Sequence, residues 1–316
     1  MSLRIVVVMD PPETVHVEGD TSFALMAEAA RRGHHVDHCL AKDLVLDAGR
    51  VHARVQRASM REDAHPPIAL GAPEEVSLHD VDAVLVRTDP PFDTQYLWAT
   101  QMLERVVGDT LVVNQPRGLR EANEKLYACR FPELMPRTLV ASDRARIRAF
   151  VTEVGGRAVI KPLDGRGGEG VFALFEGDPN FNAVVESVTR FGARVAMVQE
   201  YLPAIQQGDK RILVLDGKPL GALLRMPRGG DLRSNLHIGG EAVKTTIDAA
   251  ELRIVEALAP RLLADGLWFV GLDIIGGKLT EVNVTSPTGI RQMSRLDGID
   301  YPALVIDWLE RKAAKG

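Results

Sequence analysis

Short apolar runs alternate with helical patterns through the first third of the chain, as βα units do. Residues 3–9 read as a buried strand and residues 36–40 as a second. Between them, residues 22–32 place Phe23, Met26, Ala27 and Ala30 on one helical face, and Gly33 suits the stop. Residues 81–86 predict another strand, broken by Asp89, Pro90 and Pro91. A helix follows from about Thr94, with Tyr96, Ala99, Leu103 and Val106 at helical spacing. Residues 111–114 form a further strand, stopped by Pro116.

Residues 117–137 read as a crossing between units, and the texture changes after Val140. Ser142 is placed to cap a helix over 143–154. Strands at 157–161 and 171–175 flank a glycine-rich loop, and a helix near 181–191 leads to a strand at 196–200. Asp216-Gly217 joins strands 211–215 and 218–224, a strong two-residue hairpin signal. Residues 227–240, rich in Gly and Arg, read as a mobile loop. A helix over 249–264 precedes a last hairpin, 268–275 with 278–284. Asp300, Tyr301 and Pro302 open a C-terminal helix.

A length of 316 residues favours two or three packed units over a single core. The formal net charge of -5 argues against a general nucleic-acid surface but leaves room for a small anion held by local cations. Cys39 and Cys129 make neither a disulfide framework nor a zinc site, and they suit a reducing compartment. The apolar run 5–9 is too short for a signal segment or a membrane span, so a cytoplasmic location is expected. His34, His35 and His38 cluster in sequence but read as a polar turn without other ligands.

The last hairpin carries the most chemistry. Asp273 sits inside an apolar strand, and Glu281 and Asn283 lie two apart on the partner strand, so their side chains share a face. Three oxygen donors on one face suit a hard cation such as Mg²⁺. A two-residue turn at Gly276-Gly277 would send Asp273 to the opposite face, whereas a three-residue loop from Gly276 to Lys278 puts it across from Glu281. The three-residue loop is expected here. A merely solvated hairpin fits poorly, because Leu272, Ile274 and Ile275 hem Asp273 in.

A second candidate is the loop holding Gly165, Gly167, Gly168 and Gly170, whose backbone N–H groups can close over phosphate oxygens. Its spacing is neither that of the P-loop nor that of the dinucleotide fingerprint, and alone it could be a flexible hairpin. Lys161 just before it adds a cation for a phosphate. Further cations, Lys125, Lys210, Arg211, Arg225, Arg228 and Arg233, are spread as phosphoryl transfer requires, since that reaction rests on positioning and charge neutralisation.

Taken together, RTDPPFDTQYLWATQMLE, NQPRGLREANEKL, IKPLDGRGGEGVF, YLPAIQQGDKRILVLDG and FVGLDIIGGKLTEVNVTSPTGIR resemble the ATP-grasp ligases, and among them the bacterial glutathione synthetases. The resemblance implies an α/β fold, α+β in its C-terminal part. A parallel-sheet, Rossmann-like unit over 1–122 would precede an ATP-grasp unit over 123–316, itself divided at 202/203. ATP would lie between two antiparallel sheets, with Lys125 and Lys161 on its phosphates and the glycine loop above. Gln199, Glu200, Tyr201 and Leu202 would line the adenine pocket, and Asp209 would hold the ribose.

The same resemblance implies that Asp273, Glu281 and Asn283 bind two Mg²⁺ ions, with Mn²⁺ as a substitute. Arg211, Arg225 and Arg233 would act in catalysis. Arg233, Asn235, Ser286 and Thr288 would hold the peptide substrate, with Asp10 nearby, and residues 228–240 would form a lid. The substrates would be γ-glutamylcysteine and glycine, and the assembly a homotetramer. Thr88 and Gln115 depart from the family pattern by removing positive charge, and Ser234 and His237 by adding bulk in the loop. Two other readings are a different ATP-grasp ligase and a non-catalytic ATP-binding scaffold of this fold. The DPPFDTQYL string disfavours the first, and the intact acids and arginines disfavour the second.

Overall fold

The structure is a computed structural model that describes residues 2–165, 167–227 and 240–314. Arg228, Arg233, Ser234, Asn235 and His237, with most of the expected loop, lie outside the described residues.

Four parallel strands, β1 (Arg4–Val8), β2 (His35–Cys39), β6 (Ala83–Val86) and β7 (Leu111–Val113), run side by side in the first sheet. Their apolar runs are buried on both faces, as crossover helices require. Helix α1 (Thr21–Arg31) connects β1 to β2. Asp20 caps it by accepting from the Phe23 N–H, and Gly33 at φ +84° ends it, as its sequence suggests. Helix α2 (Thr94–Leu103) is capped the same way by Asp93.

Strands β3 (Leu44–Asp47), β4 (Arg50–Met60) and β5 (Ile68–Ser77) complete this sheet in the order β3-β4-β2-β1-β6-β7, with β5 on β4. The sequence reading assigned nothing to this stretch. A period-two signal is present in buried Val51, Ala53 and Val55, but the register shifts between Gln56 and Ala58 and breaks the pattern.

The crossing region holds two short helices, α3 (Pro116–Glu121) and α4 (Glu124–Ala128), the second capped by Asn123. A second sheet follows, of β8 (Thr138–Ala141), β9 (Arg157–Pro162), β10 (Phe172–Phe175) and β11 (Ala196–Glu200), antiparallel in the order β10-β9-β11-β8. Helices α5 (Arg144–Glu153) and α6 (Phe181–Thr189) pack on it through Ile147, Phe150, Phe181 and Val185. The cap of α5 is Asp143, whose side chain accepts from the Arg146 N–H, and not the expected Ser142.

The third sheet runs β14-β13-β12-β15-β16. It consists of β12 (Asp209–Leu215), β13 (Lys218–Met226), β14 (Glu241–Lys244), β15 (Phe269–Ile275) and β16 (Lys278–Asn283). Asp216 and Gly217, both at positive φ, make the foreseen two-residue turn. Helix α7 (Ala249–Ala264) starts at a capping box between Asp248 and Glu251. Helices α8 (Ile290–Asp297), unforeseen, and α9 (Tyr301–Ala313), foreseen from its Asp300 cap and Pro302, close the described chain.

The last helix returns to the first. Arg32 of α1's C-cap binds Asp307 and Glu310, and His34 meets Glu310 at 2.8 Å. Ile5, Val7 and Phe23 share one core with Leu213, Leu223, Phe269, Tyr301 and Trp308, so the first and third sheets are packed as one body. Buried Asn114 pins the junction. Its amide donates to the Phe269 and Val284 carbonyls at 2.8 Å each and accepts from the Phe269 N–H at 2.8 Å. Removing it leaves three buried backbone groups unpaired. Asn114→Ala is expected to lower the unfolding free energy by about 2–4 kcal/mol. Urea denaturation at unchanged m-value would show it, and a change within about 0.5 kcal/mol would mean that water replaces the amide.

Candidate active site

The β15–β16 hairpin places Asp273 directly across from Glu281, as expected, but by a different route. The turn is the two-residue Gly276-Gly277, at φ +56° and +73°, with Ile275 paired to Lys278. A bulge at Thr280 supplies the extra residue that the predicted three-residue loop would have supplied, and so returns Asp273 to the face of Glu281 and Asn283. The Thr280 hydroxyl secures the bulge by donating to the Asp273 carbonyl at 3.1 Å. Asn283 Nδ2 donates to Asp273 Oδ2 at 3.2 Å, and Glu281 stands opposite Asp273 on the same face.

Neighbouring strands bring two arginines to the same acid. Arg211 pairs across from Asp273 in the β12–β15 ladder, and its guanidinium binds both carboxylate oxygens. Arg225 reaches Asp273 Oδ2 at 3.0 Å and also binds Asp209, its partner in the β12–β13 ladder. All four side chains are buried. Burial by itself would raise the Asp273 pKa, but Arg211 and Arg225 more than offset it and hold the carboxyl below its usual range.

A second ion pair lies beside the first. Lys125 Nζ sits 3.0 Å from Glu281 Oε1 and donates to the Gly165 carbonyl at 2.7 Å, tying α4 to the glycine-rich loop. Lys161, one residue before the end of β9, has its ammonium 3.4 Å from the Thr280 carbonyl, and burial pushes its pKa down. Glu124 precedes Lys125 and was not singled out from sequence. Its Oε1 accepts from the Val284 N–H, the Thr285 N–H and the Thr285 hydroxyl, which anchors the segment leading to Ser286. Burial and the nearby Glu281 charge raise its pKa.

These groups line one cleft of about 1340 Å³ between the second and third sheets and the loops of the first. Lys125, Lys161, Gly165, Gly167, Gly168, Gln199, Glu200, Tyr201, Leu202 and Asp209 all reach it, as do Arg211, Arg225, Asp273, Glu281 and Asn283. So do Asp10, Ser286 and Thr288. Gly170 does not line it. At φ +70°, with a Cβ position 3.0 Å from Pro162, Gly170 serves the turn itself. The Arg157 guanidinium stacks 4.3 Å from the Tyr201 ring centroid, and Gln199 donates to the Thr138 hydroxyl at 3.1 Å, so the strip ending β11 is preset.

The donor set fits a hard divalent cation. Asp273, Glu281 and Asn283 supply oxygen donors from one face of the hairpin, and their negative charge is balanced by Arg211, Arg225 and Lys125. The histidines do not form the polar turn read from sequence: His34 and His38 are buried, and His35 and His38 lie in β2. His34 binds Glu310 and His38 Nε2 meets the Asp10 carbonyl. His35 joins Asp37 and Glu74 in a compact group, but Arg4 already binds both of those carboxylates.

Residues 3–120 match the family model described as prokaryotic glutathione synthetase, N-terminal domain, and residues 124–298 match its ATP-grasp domain. The chain belongs to the prokaryotic glutathione synthetase family. A curated glutathione synthetase from Gloeobacter violaceus is 47% identical over 313 residues, covering 97% of this chain and 96% of that one. One from Salmonella typhimurium is 42% identical over 315 residues, covering 99% and 100%. Among solved structures, D-cycloserine synthetase DcsG aligns at TM-score 0.68 and 16% identity over 97% of this chain and 99% of that chain. The ATP-grasp ligase PsnB aligns at 0.65 and 20% over 98% and 99%. At those identities the structures speak to the fold alone, which is ATP-grasp with mixed helices and sheets.

The Asp273 pKa is lower in the folded chain than the roughly 3.9 of an unfolded aspartate, so its stabilising contribution is complete above about pH 4 and is lost as pH falls towards the folded value. Asp273→Asn strands two buried guanidinium groups and is expected to cost about 3–5 kcal/mol at neutral pH while flattening the acid limb of the stability profile. An acid limb unchanged in the variant would show that this carboxylate does not carry it.

Proposed function

We propose that this chain joins γ-glutamylcysteine to glycine at the expense of ATP, giving glutathione, ADP and phosphate. Family membership over nearly the whole length, joined to a cleft holding the acid–arginine–lysine set, supports the reading. The meeting of Asp273, Glu281 and Asn283 on one face of the third sheet carries it.

The cysteinyl carboxylate attacks the γ-phosphorus of ATP and forms an acyl phosphate. Glycine's amine then attacks the acyl carbon and phosphate leaves, with no covalent intermediate on the protein. Lys125 and Lys161, converging on the glycine-rich loop, bind the nucleotide's phosphates, and Gln199 to Leu202 with Asp209 hold adenine and ribose. Arg211 and Arg225 are buried and held in place by Asp273, so they can face charge on the transferring phosphoryl group without reorganising. Asp273, Glu281 and Asn283 would hold Mg²⁺, with two ions and Mn²⁺ substitution by family resemblance. When bound, the metal neutralises phosphate charge and polarises the γ-phosphate. Asp10, Ser286 and Thr288 line the end of the cleft assigned to the peptide, and Arg233 and Asn235 are assigned to it by resemblance alone.

Units at 1–122, 123–202 and 203–316, a homotetrameric assembly and a cytoplasmic location complete the proposal by family resemblance. No helix among the described residues is long and apolar enough to cross a membrane.

Phosphate release measured with purified protein, ATP and Mg²⁺ tests the reading directly. Turnover should require γ-glutamylcysteine and glycine together, and nucleotide binding without turnover would favour a scaffold. Glu281→Gln, which keeps the side chain's volume, is expected to reduce turnover by about 10²–10³-fold with the fold retained by circular dichroism. A variant of normal activity would remove Glu281 from the site.

A further inference from the structure

Lys125 has to meet partners on two different sheets. Its ammonium sits 3.0 Å from Glu281 Oε1 on β16 and donates to the Gly165 carbonyl of the glycine-rich loop at 2.7 Å. A lysine carries its charge on a flexible four-carbon stem, so the ammonium is placed only as well as the backbone beneath it. That backbone is α4, a helix of five residues. So short a helix has little stability of its own in water and keeps its place through contacts with the rest of the fold.

The two residues before Lys125 make such contacts. Asn123 caps α4 by accepting from the Lys125 and Leu126 N–H groups, and its amide donates to the Leu163 carbonyl at 3.0 Å. Glu124 reaches to the third sheet. Its Oε1 accepts from the Val284 N–H at 2.9 Å, the Thr285 N–H at 3.1 Å and the Thr285 hydroxyl at 2.9 Å. Val284 and Thr285 are buried, so without this acceptor their N–H groups have no water to turn to.

The two stretches joined in this way are both lined with site residues. Val284 and Thr285 directly follow Asn283, the last residue of β16, and Glu281 lies three positions before Val284. Glu124 and Lys125, neighbours on α4, thus make two cross-links to the same strand end. One runs to backbone N–H groups and the other to the Glu281 carboxylate. The backbone link fixes the distance over which the side-chain link forms. This geometry asks Glu124 for an acceptor oxygen and not for a charge. Burial and the Glu281 charge oppose its ionised form, while the Thr285 donors and Lys125 favour it. A carboxamide with its oxygen at the same place would accept from the same donors.

We propose that Glu124 is a positioning residue for nucleotide binding: it clamps α4 to the end of β16 and so places the Lys125 ammonium where it meets both Glu281 and the phosphates of ATP. Glu124 acts on neither substrate nor metal directly, and its effect on the nucleotide passes through Lys125. The assignment rests on the ligase reading, which names ATP phosphate as the partner of Lys125, and deepens it by giving the junction of α4 and β16 a part in binding. A residue that only held up the fold would lower stability without an effect that depends on Lys125.

Calorimetric binding of the β,γ-imido analogue of ATP with Mg²⁺ tests this on the full chain. Glu124→Gln keeps the acceptor oxygen and the side-chain length, and should bind within about threefold of the unaltered protein. Glu124→Asp keeps the charge but is one methylene shorter, and should weaken binding about 10-fold, as should Glu124→Ala. Lys125→Met removes the ammonium and should weaken binding by about 10- to 100-fold. In the Lys125→Met background, Glu124→Asp should add less than about twofold, since a residue acting through another is not additive with it. In turnover, Glu124→Asp should raise KM for ATP, with kcat within about threefold of the unaltered value.

If Glu124→Gln binds as weakly as Glu124→Asp, the charge itself is needed and the proposal is overturned. Losses that add in the double variant show that Glu124 acts apart from Lys125, and unaltered binding in Glu124→Asp and Glu124→Ala shows that α4 needs no clamp. Both also overturn it. Circular dichroism checks the fold of each variant, and if Glu124→Ala does not fold, the contrast between Glu124→Gln and Glu124→Asp decides. The two levels separate in the same experiments. The expected order of binding, in a protein that releases no phosphate with γ-glutamylcysteine and glycine, would sink the ligase reading and keep the clamp. Full turnover with Glu124→Gln and Glu124→Asp binding alike would do the reverse.

Discussion

The site depends on one buried carboxylate held between two arginines. Asp273 lies in an apolar strand, where an unpaired charge would be untenable, and Arg211 and Arg225 make it tenable from adjacent strands. The arrangement demands that β12, β13 and β15 keep their register, because a slip of one residue would turn these side chains to the opposite face. In return, the carboxylate that Arg211 and Arg225 share holds both guanidinium groups in place. Lys125 and Glu281 extend the same network to α4 and the glycine-rich loop, so acids and cations from three separate stretches of chain form one charged floor.

The first and third sheets share a core and are joined by Asn114, by the Arg32 contacts to α9 and by Arg87 on the Pro287 carbonyl. The second sheet packs its own helices around Ile147, Ile160, Phe181 and Val198 on one face, while Met197 on its other face joins the core that holds Ile274, Leu279 and Val282 of the third sheet. Lys125 on the Gly165 carbonyl and Lys161 on the Thr280 carbonyl add polar contacts along the same junction.

Polar atoms left without partners are informative in such a site. Thr21, Tyr96, Arg225 and Gln292 each keep a buried donor or acceptor unpaired, and all four line the cleft. The orphans fall at both ends, beside Asp273 and beside Arg87, which is the pattern expected where ligand groups complete the hydrogen bonding.

The sequence by itself determined the elements whose signals are local. The Gly33 stop of α1, the start of α9, the Asp216-Gly217 turn, the βα alternation and the shared face of Glu281 and Asn283 were all legible, because each rests on residues a few positions apart. It missed the β3–β5 strands, where a bulge broke the alternation, and it misjudged the last hairpin, where a bulge at Thr280 did the work assigned to a longer loop. It also passed over Glu124 and Arg87, although both lie in strings that looked informative. Only the tertiary structure showed that Glu124 anchors a backbone segment about 160 positions along the chain, and that Arg87 is buried with no acid paired to it among the described residues. Burial and pairing depend on which distant segments close over a side chain, and that is settled when the sheets pack together.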